Sequence, residues 1–87
     1  MPVTETIEAF VERAASVKAI RSIVARSHGE SVDFLVSGDG PWHVIIDELE
    51  PRLVDLIVER GAAFEYSVVR PGMEAQPEGY LSVFTRG

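Results

Sequence analysis

Apolar residues in the first third of the chain return every three or four positions: Ile7, Phe10, Ala14, Val17, Ile20 and Val24, with Val11 and Ile23 widening the stripe. That spacing predicts an amphipathic helix packed on a core. Thr4 suits its N-cap, and His28-Gly29 reads as its C-terminal stop. Two dozen residues at ~1.5 Å each reach ~36 Å, longer than the ~25 Å expected of so small a domain, so one end should project or kink.

The period then shortens to two. "SVDFLVS" (31–37) and "WHVIID" (42–47) are β-rich runs separated by turn residues. Val32, Phe34 and Val36 share one face of the first run; Trp42, Val44 and Ile46 share one face of the second. A hairpin that puts both sets on one side sets Val36 opposite Trp42, with Ser37 to Pro41 as a five-residue connection. A four-residue loop would turn His43 inward instead. Asp39-Gly40 supplies the turn, and Pro41 would enter the strand at its first residue.

Beyond Asp47 the period lengthens again. Leu49, Leu53, Leu56, Ile57 and Arg60 share a helical face, and Gly61 follows as a stop. Asp47 and Glu50 have capping-box spacing while Pro51 suits a first helical position, which sets the start between 48 and 51. Two more β-rich runs, "AFEYSVVR" and "GYLSVFTR", close the chain. They are joined by "PGMEAQPEG" (71–79), long for a hairpin connection.

These elements predict one α+β domain over residues 1–87, in the order α-β-β-α-β-β. That order equals a ferredoxin-like β-α-β-β-α-β chain with its first strand moved to the end, an analogy of element order without family membership. By that analogy the sheet is four-stranded and mainly antiparallel in the order 1-2-4-3, with both helices on one face. Asp33, Glu65 and Arg70 in the edge runs would discourage unwanted pairing.

Strand parity then leaves a surface over. With Val32, Phe34, Val36, Trp42, Val44, Ile46, Phe64, Tyr66, Val68, Leu81 and Val83 beneath the helices, the other face presents Leu35, Ile45, Val69, Tyr80 and Phe84 among Asp33, His43, Glu65, Ser67 and Ser82. A sheet with one solvated face alternates apolar with polar, and these strands do not alternate cleanly. Five large apolar side chains would give a patch on the order of several hundred Å², a size that marks an interface. A second copy of the chain is the expected cover, since symmetric homodimers are the commonest soluble oligomers. The competing expectation is that the 71–79 loop, or the end of the first helix, folds over that face.

Composition narrows the classes. The chain of 87 residues is 46% hydrophobic and 25% charged, as globular domains are, and has no cysteine. Disulfides, thiolate metal sites and cysteine nucleophiles are therefore excluded. Net charge is −6, and residues 31–87 hold four bases against ten acids. No basic stripe is present to neutralise phosphates, so nucleic acid is not an expected partner. No stretch approaches the ~18 consecutive apolar residues of a membrane span, and the amino terminus lacks a basic start followed by an apolar run. A cytoplasmic protein without a membrane partner is the expectation.

Little in the sequence carries chemistry. His43, on an expected central strand near Asp33 and Tyr80, is the one acid–base candidate, because a carboxylate beside an imidazole can make a general base. An isolated strand histidine is more often a polar rim residue. His28 reads as a helix-end residue. "GDGP" lacks the lysine and hydroxyl of a phosphate loop and is expected to precede a strand, not a helix. No metal-ligand spacing stands out, no cofactor is expected, and Ser37, Ser67 and Ser82 lack a nucleophile-elbow context. The leading expectation is a small non-enzymatic interaction or regulatory module, self-associating or meeting a protein partner through the open sheet face. The alternatives are a cofactor-independent enzyme or ligand binder with a pocket lined by Leu35, Ile45, Tyr80 and Phe84 near His43, and an acidic decoy of a basic protein.

Overall fold

The computed structural model describes residues 1–70 and 77–86. Its elements are α1 (Val3–Ala15), β1 (Ile20–His28), β2 (Ser31–Gly38), α2 (Trp42–Val58), β3 (Phe64–Val68) and β4 (Leu81–Thr85). The α-β-β-α-β-β order holds, but two elements are built from other residues than the apolar period indicates.

The first helix stops at Ala15, and residues 20–28 form a strand. Ile20, Ile23 and Val24 are β-branched and suit a pleated surface, which the helical spacing of the same residues conceals. His28-Gly29 is not a helix stop. It begins a two-residue hairpin turn in which His28 pairs with Ser31. Gly29 lies at φ +58°, and no non-glycine residue, Glu30 included, has positive φ. That combination is what a type II′ turn requires of its two central residues. The helix start also differs: Pro2 is the N-cap, and the buried Thr6 hydroxyl donates back to the Pro2 carbonyl at 3.2 Å.

The second correction concerns residues 42–47, which are helical and not a strand. Pro41 is the N-cap of α2, and Pro51, expected near the start, sits inside the helix. Proline removes one intrahelical donor there, a loss the helix survives because Ile45, Leu49, Leu53 and Leu56 bury a continuous face. Ile45 belongs to this i, i+4, i+8, i+11 row. Val44, expected in the core, is on the solvent side at 43% exposure.

The sheet is mixed, in the order β3-β2-β1-β4. β1 is antiparallel to β2 and to β4, whereas β2 and β3 are parallel and joined through α2. This replaces the expected 1-2-4-3 order and places β1 and β2 in the centre. The reason is local: the tight turn at Gly29 makes β1 and β2 nearest neighbours, and a crossover helix joins strands that run parallel.

Both helices share one core with the sheet. Ile23, Ala25, Val32, Phe34, Val36 and Val68 rise from the strands to meet Phe10, Ala14, Leu49, Leu53 and Leu56. Phe10 stacks on Phe34 with centroids 3.8 Å apart, and Phe64 meets both rings edge-on at 5.4 and 5.9 Å. Tyr66 is half-buried on the same side. Burial first, and the charge of Glu50 second, push its phenol above the ordinary range.

Polar contacts tie the layers. Arg13 of α1 pairs with Asp55 of α2 and donates to the Arg52 carbonyl at 3.1 Å, and Arg52 donates to the Ser16 hydroxyl at 2.8 Å. The hydrogen bond from Arg13 holds the Asp55 carboxyl below its ordinary range against the opposing effect of burial. At the other end Arg86 donates to the Ala15 carbonyl at 2.7 Å, clipping the end of β4 to the end of α1.

Two predictions follow from this packing. A Cβ at Gly38 would lie 2.9 Å from Ile45 Cδ1 and closer still to the Ala19 carbonyl oxygen, which belongs to backbone and cannot rotate away. Gly38→Ala should therefore lose about 1–3 kcal/mol in urea unfolding. A carboxyl whose folded pKa is depressed stabilises the fold above its unfolded pKa, near 3.8 for Asp55, and loses that contribution as pH falls through the folded value. Between about pH 5 and pH 2 the wild type should lose more stability than Asp55→Asn; parallel curves would refute the pair.

Candidate functional site

The face of the sheet away from the helices is where sequence and structure differ most. In the hairpin Ser22, Val24, Arg26 and His28 alternate onto that face, opposite Ser37, Leu35, Asp33 and Ser31 respectively. The parallel ladder adds Glu65 beside Asp33 and Ser67 beside Leu35. The face is thus polar, apart from Val24 and Leu35. These two are 4% and 6% exposed and lie outside the main core cluster.

Of the five expected interface residues, the structure does not gather one patch. Leu35 lies on the open face and is buried. Ile45 is 2% exposed within the helix-side core, because 42–47 is helical. Phe84 also packs on that core. Its parity is reversed by a bulge: one step along β1, from Ile23 to Val24, matches two along β4, from Phe84 to Ser82. The extra residue, Val83, lets Val83 and Phe84 both face the helices. Val69 is half-buried just past β3, and its N–H donates to the Val36 carbonyl at 2.8 Å. Tyr80 is half-buried over the open face, where it helps line a hollow. Of the 71–79 loop expected to cover this face, residues 71–76 lie outside the described residues.

His43 does not meet Asp33 or Tyr80. It is exposed in the first turn of α2, with its ring edge-on to Trp42 at 5.7 Å. The histidine beside Asp33 is His28: its Nε2 lies 2.9 Å from Asp33 Oδ2. The Arg26 Nε–H points at the same Nε2 from 3.1 Å. A single ring nitrogen holds either a hydrogen for Asp33 or a lone pair for Arg26, so the two contacts are alternatives that both pin the imidazole. The Arg26 guanidinium also lies 5.1 Å from the centroid of the Tyr80 ring. This cluster of Arg26, His28, Asp33 and Tyr80 was missed because residues 20–28 read as helix. Read as a strand, parity alone puts 26 and 28 on one face.

Next to it is a shallow hollow of about 180 Å³, lined by Asp33, Leu35, Glu65, Ser67 and Tyr80 among others. Leu35 and Tyr80, two of the four residues of the expected ligand pocket, meet there; Ile45 and Phe84 face the other side of the sheet. His28 is outside its lining. "GDGP" does precede a helix, contrary to expectation, although the lysine and hydroxyl of a phosphate loop are missing from it. Among the described residues no group of three or more histidines and carboxylates is placed to hold a metal ion. Nor, among them, is any helix long and apolar enough to cross a membrane.

Fold and site together define a two-layer α+β domain, two helices on a mixed four-stranded sheet, whose open face carries a polar cluster. Compared with protein families, curated proteins and solved structures, the chain shows no match.

One consequence of the ladder is measurable. Asp33 and Glu65 are like charges in register on neighbouring strands. Asp33 has His28 and Arg26 beside it, while Glu65 makes no ion pair among the described residues. Like charges directly opposite are destabilising, so Glu65→Gln should raise stability by about 0.2–1 kcal/mol in chemical unfolding. A loss of stability would mean that the Glu65 carboxylate serves the fold.

Proposed function

We propose that the protein is a small non-enzymatic interaction module that associates with a second copy of itself. The observation that carries this reading is the amount of large apolar side chain left in solvent: Leu81 on β4 at 74%, and Val54, Ile57 and Val58 on the outer side of α2 at 51%, 52% and 75%. Val54, Ile57 and Val58 share one side of α2 while Leu81 stands apart on β4, so the exposed apolar residues offer two separate surfaces for a partner. The open sheet face is a poor choice for the contact, because its apolar Val24 and Leu35 are already covered and its remaining residues are polar.

A binding role also fits the acid–base groups better than catalysis does. His43 stands on an exposed helix turn and makes no ion pair with a carboxylate among the described residues. The His28–Asp33 pair is at the surface: Asp33 lines the hollow, while His28, its side chain 53% exposed, stands outside the lining. General acid–base chemistry needs the reacting atom held within hydrogen-bond reach of the imidazole, and among the described residues the exposed His28 ring has no pocket around it.

Light scattering at micromolar concentration tests the reading. The expected mass is twice the 9.6 kDa of the chain. A single monomeric species throughout that range would defeat it.

A further inference from the structure

We propose that self-association runs through the free edge of β4, two copies pairing their β4 strands antiparallel to form one continuous eight-stranded sheet. This names the surface for the self-association reading and rests on it.

β4 is an edge strand: one side pairs with β1, and among the described residues no strand lies on the other. Such an edge presents unpaired N–H and C=O groups, and proteins ordinarily guard it with charge, proline, bulges or brevity; of these β4 has its five-residue length and the bulge at Val83. Residues 81–85, Leu-Ser-Val-Phe-Thr, include no charged residue and no proline. The opposite edge is different. β3 carries Glu65 at its second position, and two copies paired there would bring acidic side chains together. With a net charge of −6 on each copy, most surfaces of this chain repel their own kind. β4 is a sheet edge where pairing buries no charge.

The second copy is also favoured by the ends of the strand. A two-fold axis at Val83 aligns Leu81 of each copy with Thr85 of the other. The first charges met beyond the strand are Glu78 before it and Arg86 after it. Antiparallel pairing sets the Glu78 end of each strand by the Arg86 end of the other; with the Arg86 guanidinium held at the Ala15 carbonyl and over Phe84, this is an attraction between strand ends and not an ion pair. Beside the strand lies a groove of about 240 Å³ between α1 and the sheet, with Ile7, Ala25, Leu81 and Val83 in its lining. Leu81, 74% exposed at its rim, is the apolar side chain that an added strand would cover. The apolar stripe of α2 lacks this second element: its backbone hydrogen bonds are satisfied within the helix, so it offers no strand edge to extend.

The test compares the full-length wild type with Leu81→Lys and Val58→Lys by sedimentation, with circular dichroism to confirm folding. Both sites are at least three-quarters or nearly so in solvent, so neither change should unfold the chain. Leu81→Lys is expected to weaken the dimer by about tenfold or more, and Val58→Lys to leave it unchanged. In parallel, hydrogen exchange at Ser82 to Thr85 should slow as concentration rises, while the β3 amides stay constant. A dimer that withstands Leu81→Lys, dissociates with Val58→Lys, or shows no concentration-dependent protection in β4 overturns the edge and leaves self-association standing. A wild type that is monomeric removes the self-association reading itself.

Discussion

The pairing of Ile20–His28 with Ser31–Gly38 is the constraint on which the rest of the molecule depends. The glycine-led turn sets His28 against Ser31, and every other pair follows from it, Ala25 against Phe34 and Ile23 against Val36 among them. That register puts Phe34 beneath the helix layer, where Phe10 stacks on it. It also sends Arg26 and His28 to the other face, opposite Asp33 and Ser31. A slip of β1 by one residue against β2 would turn Arg26 and His28 toward the helices and Ile23 and Ala25 away from them. Core and surface cluster are thus consequences of one turn.

The same hairpin explains why the sheet has two unlike edges. With β1 and β2 fixed as the central pair, the crossover through α2 places β3 beside β2, and the returning chain adds β4 beside β1. β3 is a parallel edge carrying a glutamate; β4 is antiparallel, uncharged and bulged at Val83. The bulge turns two consecutive apolar residues toward the core and leaves Leu81 near the rim. The two edges are therefore guarded differently, β3 by a charge and β4 by its short length and its bulge.

Several parts of this arrangement were legible in the residues. β2 and β4 carry alternating or continuous β-formers bounded by turn residues and β3 alternates apolar with polar; β3 and β4 lie within the expected runs, and β2 extends one residue past its own, to Gly38. The helical row through Leu49, Leu53 and Leu56 was equally plain. Parity placed Leu35 on the open face. What misled was ambiguity of period: Val17, Ile20 and Val24 satisfy a helical spacing although the helix ends at Ala15, and Trp42, Val44 and Ile46 satisfy a strand spacing although Trp42, Ile45 and Leu49 satisfy a helical one just as well. Short apolar runs fit both periods, and the choice rests on what lies next to them in space. The candidate site inherited the error. A strand over 42–47 brings His43 beside Asp33, and a helix reaching 28 leaves His28 at its end; the observed elements reverse both placements.

By itself the sequence determined the class: one small α+β domain, four strands and two helices, without cysteine chemistry and with its acidic excess in the later two-thirds. Those properties depend on composition and on the count of apolar segments, which hold whatever the segments pair with. Strand order, the identity of β1, the side on which Phe84 lies and the meeting of His28 with Asp33 were decided by the tertiary structure. Each depends on contacts between residues distant in the chain, where burial and backbone pairing outweigh the local preference of any one segment.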